Sequence, residues 1–266
     1  MRQTFNQWRA DDRSFLEETT IPFALNDRNG HIKPAELSRL FMDLAGDDFG
    51  ERSLSHRYMK ERGHYFILTR SAVHIYRDVP DTARVMLRTW PYKIRSLQVY
   101  RGYEMRGAEG DMIAAGSGIF LVIGPEGTPI RMNDFPFVKW EDVVCEDAPA
   151  VEPKRRIRTR EETVCLRTVR ATFNDLDSNG HVNNARYVAY AQDSLPEPQQ
   201  NGWITDMEIS YDQETKIGQE LQVRCNARSL TSDAVVADDD GWVRLFGTTE
   251  AGDPSFGCMF KFAAQD

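Results

Sequence analysis

The chain has 266 residues, 41% of them hydrophobic and 28% charged; it is longer than one hydrophobic core usually spans, so two domains are expected, and its composition is that of a folded globular protein. A net charge of -8 argues against general nucleic-acid binding, which needs a basic surface to release counterions from phosphates. No uncharged apolar run reaches the roughly 18 residues that cross a bilayer as a helix. Cys145, Cys165, Cys225 and Cys258 form no C-x-x-C pair for zinc or redox chemistry.

Residues 1–15 mix Arg9, Asp11, Asp12 and Arg13 with polar residues and offer no apolar core for a secretory signal, so a cytoplasmic location with free thiols is expected. A helix then opens with Pro34 and places Leu37, Leu40, Phe41 and Leu44 on one face. Strand chemistry follows at 66–76, 85–90, 98–105 and 113–123, a run of antiparallel strands. The stretch from Cys145 to Thr159 is rich in proline and charge, including Lys154, Arg155, Arg156 and Arg158, and reads as a linker. The second half repeats the plan. A strand at 163–173 precedes a helix capped by Asn183 or Asn184, which carries Tyr187, Tyr190, Ala191 and Leu195 and is stopped by Pro196. Strands at 204–211, 221–230, 242–249 and 255–262 follow. The expected fold class is α+β, one helix facing one antiparallel sheet in each of two domains, 1–144 and 161–266, joined by a linker at 145–160.

Sliding the chain on itself places His31 on His181. Asp27, Asn29, Gly30 and His31 then fall on Asp177, Asn179, Gly180 and His181, with Phe23 on Phe173 and Ile32 on Val182. Each half therefore carries D-x-N-G-H.

The second copy also matches the opening of a calcium loop, but the position that needs a bidentate glutamate holds Arg186, so no metal is expected. Nucleophile-elbow, Walker and dinucleotide-binding patterns are absent. Asp177, Asn179 and His181 alternate along a turn that ends at a helix start, where unpaired backbone N–H groups and side-chain donors could stabilise the oxyanion of a thioester under attack. The same residues also suit a plain turn that caps a helix, with His181 a satisfied polar group. Spacing alone leaves both readings open.

The run Asp175-Leu-Asp177-Ser-Asn179-Gly-His181-Val-Asn183-Asn184-Ala-Arg-Tyr187 resembles the D-L-D-x-N-x-H-V-N-N-x-x-Y motif of the acyl-ACP thioesterases, and the first half shows that family's L-T-R at Leu68 to Arg70 and T-W-P at Thr89 to Pro91. The resemblance implies a tandem double hotdog fold, with each half a long helix across a curved antiparallel sheet. It also implies hydrolysis of fatty acyl-ACP to free fatty acid, with no cofactor. By the same resemblance Asp177, Asn179 and His181 are functional, and Glu214, in the Y-x-x-E of Tyr211 to Glu214, is the general base on water. Asn179 and His181 would orient water and carbonyl, Asp177 would hold and polarise its neighbours, and Asn183, Asn184 and Tyr187 would bind substrate. Plant members often have Cys after that Glu. Thr215 here favours direct attack by water over an acyl-enzyme.

In the first half, aligning Tyr76 with Tyr211 puts Val79 opposite Glu214, so the first turn is read as structural, and His31 with it. His56, His64 and His74 are read as packing or solvent-facing. Acidic acyl carrier protein, the expected partner, would dock on basic residues, with Lys93, Arg95 and Arg101 or Arg155, Arg156 and Arg158 as candidates. A monomer or a homodimer fits. Alternatives are an acyl-CoA thioesterase, an enoyl-thioester hydratase of the same fold, for which His181 comes one residue early, and a non-catalytic acyl-binding protein.

Overall fold

A computed structural model describes residues 3–154 and 156–264; Arg155 of the basic stretch lies outside the described residues. The chain forms two compact units, one of Met1–Ile32 with Glu36–Pro153 and the other of Lys154–Asp266 with Lys33–Ala35.

The first unit carries β1 (Thr4–Arg9), β2 (Phe15–Thr20), α1 (Pro34–Glu51), α2 (His56–Lys60), β3 (Tyr65–Ile75), β4 (Arg84–Arg95), β5 (Gln98–Gly107) and β6 (Met112–Ile123). Its strands pair antiparallel in the order β1-β2-β4-β5-β6-β3. The apolar stripe of α1 covers this sheet. Leu37 and Leu44 are fully buried, and Phe41 stacks on Tyr103 of β5 with ring centres 5.0 Å apart.

Strands β1 and β2 escape the sequence pattern. In β2 the inward positions are Phe15, Glu17 and Thr19, all buried, and Glu17 is satisfied there by Thr4 at 3.1 Å and Gln7 at 2.8 Å from β1. A buried carboxylate at an inward position breaks the apolar alternation by which strands are recognised.

The second unit carries β7 (Thr163–Arg170), α3 (Asn184–Asp193), α4 (Glu197–Gln200), β8 (Ile204–Tyr211), β9 (Glu220–Asn226), β10 (Val243–Thr249) and β11 (Pro254–Phe262), paired antiparallel in the order β8-β11-β10-β9-β7. Helix α3 lies against β10 and β11, with Tyr187 edge-on to Phe256.

Three expected elements are shortened. The strand read as 163–173 stops at Arg170, and Phe173–Asp175 forms a 3-10 turn with a Thr172/Asp175 capping box. The strand read as 221–230 stops at Asn226, before a second such turn at Ala227–Ser229. Helix α3 ends at Asp193, three residues before Pro196, where Ser194 bonds back to the Tyr190 carbonyl at 2.6 Å.

The stretch at 145–160 is not free chain. Cys145 is buried and its N–H bonds the Pro91 carbonyl at 2.8 Å, and Ile157 is buried with its N–H on Ser210 Oγ at 3.0 Å. Its apolar positions are tied into the fold, while charged residues such as Lys154, Arg156, Arg158 and Arg160 stay exposed to solvent.

Candidate active site

The two D-x-N-G-H turns have the same local chemistry. In the second, the Asp177 N–H bonds the His181 carbonyl at 2.8 Å, and the Gly180 N–H bonds the Asp177 carbonyl at 3.0 Å. Asp177 Oδ1 accepts the N–H of Asn179 at 2.8 Å and of His181 at 3.4 Å. In the first, Asp27 makes the equivalent bonds to Asn29 and His31 at 2.8 and 3.0 Å. Gly30 and Gly180 have φ of 87° and 81°, the left-handed region that a side chain disfavours. Asp177→Ala removes both side-chain bonds, and we expect about 1–2 kcal/mol lower stability of this unit, read from unfolding midpoints.

The turn is tied to the chain beyond β8. The Val182 N–H bonds the Thr215 carbonyl at 2.9 Å, and His181 forms a β-bridge with Lys216. This brings His181 Nε2 to 3.1 Å from Glu214 Oε2, two residues that the sequence reading placed in one site only by resemblance. His181 is 28% exposed and Glu214 49%, so the carboxylate sits at a rim. It forms part of the wall of an open cleft of about 690 Å³, lined also by Arg170, Gln219, Glu220, Thr249 and Asp253.

The other motif residues have structural partners. Asn183 caps α3, its side chain accepting the Ala185 N–H at 3.0 Å, while the Asn183 N–H reaches the Asp175 carbonyl and the Arg186 N–H reaches that of Asn183, each at 2.8 Å. These first-turn donors, expected to be open to an oxyanion, are therefore committed within the fold. Tyr187 is 3% exposed, and its hydroxyl accepts the Thr215 N–H at 3.0 Å. Burial raises the Tyr187 phenol pKa above its ordinary value, opposed by bonds to Thr215 and aided by the nearby Glu214 charge, so it stays neutral. Asn184 passes its carbonyl to the Tyr211 hydroxyl at 3.0 Å. Thr215 is 2% exposed.

Three features were not read from the sequence. Asp175 is buried and takes the Arg186 Nε at 2.8 Å. Burial would push its pKa up, but the Thr172 hydrogen bonds and the Arg186 charge outweigh it and hold it below the ordinary carboxylate value. The T-x-x-D spacing of Thr172 and Asp175 was the available signal. Arg186, where a calcium loop needs glutamate, is thus an internal counter-ion. In the first turn His31 Nδ1 meets Asp78 Oδ2 at 2.6 Å, and Asp78 also accepts the Ile32 N–H at 3.2 Å. His31 is therefore more than a turn residue, and its carboxylate stands one position before Val79. The third is the set of contacts behind Glu214, described below.

Of the docking candidates, Arg101 is 1% exposed and bonded to Asp48, which removes it from any surface. Lys93 pairs with Glu152, and Arg156 and Arg158 pair with Asp212. His64 is buried against Phe135 and Phe137, and His74 packs on Tyr76.

A histidine held against a carboxylate at the wall of a cleft, beside a buried threonine, suits a hydrolase that activates water. The fold recurs in solved structures. The structure of an acyl-ACP thioesterase from Bacteroides thetaiotaomicron aligns with a TM-score of 0.81 at 19% identity, over 95% of this chain and 99% of that one. The 12:0-ACP thioesterase of Umbellularia californica aligns with a TM-score of 0.79 at 13% identity, over 97% of this chain and 100% of that one. Identities this low show the fold alone. No curated protein matches the sequence. The acyl-ACP thioesterase N-terminal domain model matches residues 12–131 and the C-terminal domain model residues 158–243, together well over half of the chain. The chain belongs to the acyl-ACP thioesterase family and is a thioester hydrolase acting on acyl-ACP.

Proposed function

We propose that the C-terminal part of the chain, 161–266 in the sequence reading, carries the active site on a double hotdog fold, and that it hydrolyses fatty acyl-ACP by general-base activation of water. The observation that supports this most directly is the 3.1 Å pair of His181 Nε2 and Glu214 Oε2. Glu214 takes a proton from water as the oxygen attacks the thioester carbon. His181, bonded to that carboxylate, orients it, and the Asn179 amide stabilises the developing oxyanion in place of the helix donors that the fold has used. The C–S bond then breaks, Glu214 returns the proton to the departing thiolate, and the products are a fatty acid and holo-ACP. Asp177 holds the turn that carries Asn179 and His181. Asn183 caps helix α3 and the Tyr187 hydroxyl accepts the Thr215 N–H, so in this reading substrate contact falls to Asn184, whose side-chain amide has no hydrogen bond among the described residues.

No helix among the described residues is long and apolar enough to cross a membrane, and the four cysteines are free, which supports a cytoplasmic enzyme meeting its carrier in solution, as a monomer or a homodimer. Thiol release from a panel of acyl-ACPs and acyl-CoAs tests the reading. His181→Ala is expected to lose about a hundredfold in kcat on the preferred acyl-ACP. Stoichiometric acyl binding with no turnover by the parent would replace the enzyme with a binding protein.

A further inference from the structure

Glu214 is half exposed on a long, flexible side chain, yet a base must be held before the substrate arrives. The residues on both sides of it are anchored by buried hydroxyls. The Tyr187 hydroxyl accepts the Thr215 N–H at 3.0 Å. Thr215 Oγ1 lies 3.3 Å from Ser255 Oγ, and Ser255 Oγ donates to the Gln213 carbonyl at 3.4 Å. The Ser255 carbonyl accepts the N–H groups of Asp212 and Gln213 at 2.8 and 3.2 Å. Tyr187, Thr215 and Ser255 are 3%, 2% and 0% exposed, so these bonds are shielded from competing water.

The first unit lacks these groups. The repeat sets Leu37 opposite Tyr187, and the alignment of Tyr76 with Tyr211 sets Pro80 opposite Thr215. That position then has neither a phenol to accept the bond nor an N–H to give it. The bond from a buried phenol to the N–H after the glutamate therefore has no counterpart at the matching positions of the first unit.

We propose that Tyr187 and Ser255 are positioning residues for the reaction, holding the backbone on either side of Glu214 so that its carboxylate stands against His181. This rests on the reading of Glu214 as the base. Neither hydroxyl touches substrate; each acts through the 213–215 segment.

The test is a double-mutant cycle on the whole chain, with Tyr187→Phe and Ser255→Ala made in the parent and in Glu214→Gln, following kcat and KM for one acyl-ACP and the unfolding midpoint of each protein. Tyr187→Phe and Ser255→Ala are each expected to lower kcat roughly tenfold and leave KM within about twofold. In the Glu214→Gln background, neither should lower it further. Ser255→Ala removes only one oxygen and carries the test if Tyr187→Phe does not fold. An unchanged kcat in the folded single variants overturns the positioning role, as does an equal loss in both backgrounds. Parent-like activity in Glu214→Gln would instead overturn the assignment of the base.

Discussion

Glu214→Gln is expected to lower kcat on acyl-ACP by about a hundredfold or more, with little change in the unfolding midpoint. Glutamine keeps the length of the side chain and an oxygen that can accept from His181 Nε2, so the 3.1 Å contact survives in outline. It cannot take a proton from water. The side chain is 49% exposed, and exchanging a group so open to solvent leaves the core intact. The loss should therefore fall on kcat with KM near the parent value, the signature of an interaction made in the transition state. Thiol release under single-turnover conditions reads it directly. Full activity in the variant would move the base elsewhere, with Asp177 the next carboxylate of the motif.

The largest effect on stability is expected from Asp48→Asn. Asp48 has no exposed side-chain surface and stands 2.6 Å from Arg101 and from Arg9 and 3.3 Å from Arg52. Neutralising it leaves three guanidinium groups close together, one of them fully buried. Breaking a buried pair in this way costs on the order of 3–5 kcal/mol, which should lower the midpoint of the first unit by about 10 °C. Burial alone would raise the Asp48 pKa, but Arg101 and Arg9 outweigh it and hold it below the ordinary carboxylate value. A depressed folded-state pKa means that this contribution is complete above the unfolded carboxylate's range and is lost as the pH falls through the folded value. The gap between parent and Asp48→Asn should then close on acidification. Thermal unfolding from neutral to strongly acid pH checks both, and a constant gap would remove Asp48 from the acid response.

Both turns were legible because everything that shapes them lies within a few residues. Asp177 reaches N–H groups two and four positions on, and Gly180 supplies the left-handed conformation between them. Asn183 as the cap of α3 and Pro34 at the start of α1 are equally local. Most strands could be read for a similar reason, since apolar residues on β4, β5, β6, β8 and β11 mark a buried surface along each segment. Strands β1 and β2 could not, because Glu17 and its partners Thr4 and Gln7 disguise an inward face as a polar one.

What the amino-acid order determined by itself was therefore the repeated turn, its helix and the antiparallel plan, along with the motif on which the resemblance rested. Which charges meet was decided only in the folded chain. His181 reaches Glu214 in the segment that follows β8, His31 reaches Asp78, and Arg9 of β1 and Arg101 of β5 gather on Asp48 of α1. Hydrogen bonds that close a turn depend on spacing of two to four residues and leave a pattern in the sequence. A buried ion pair between distant residues depends on the register of strands and the docking of helices, and only burial in that fold makes the pairing strong enough to matter.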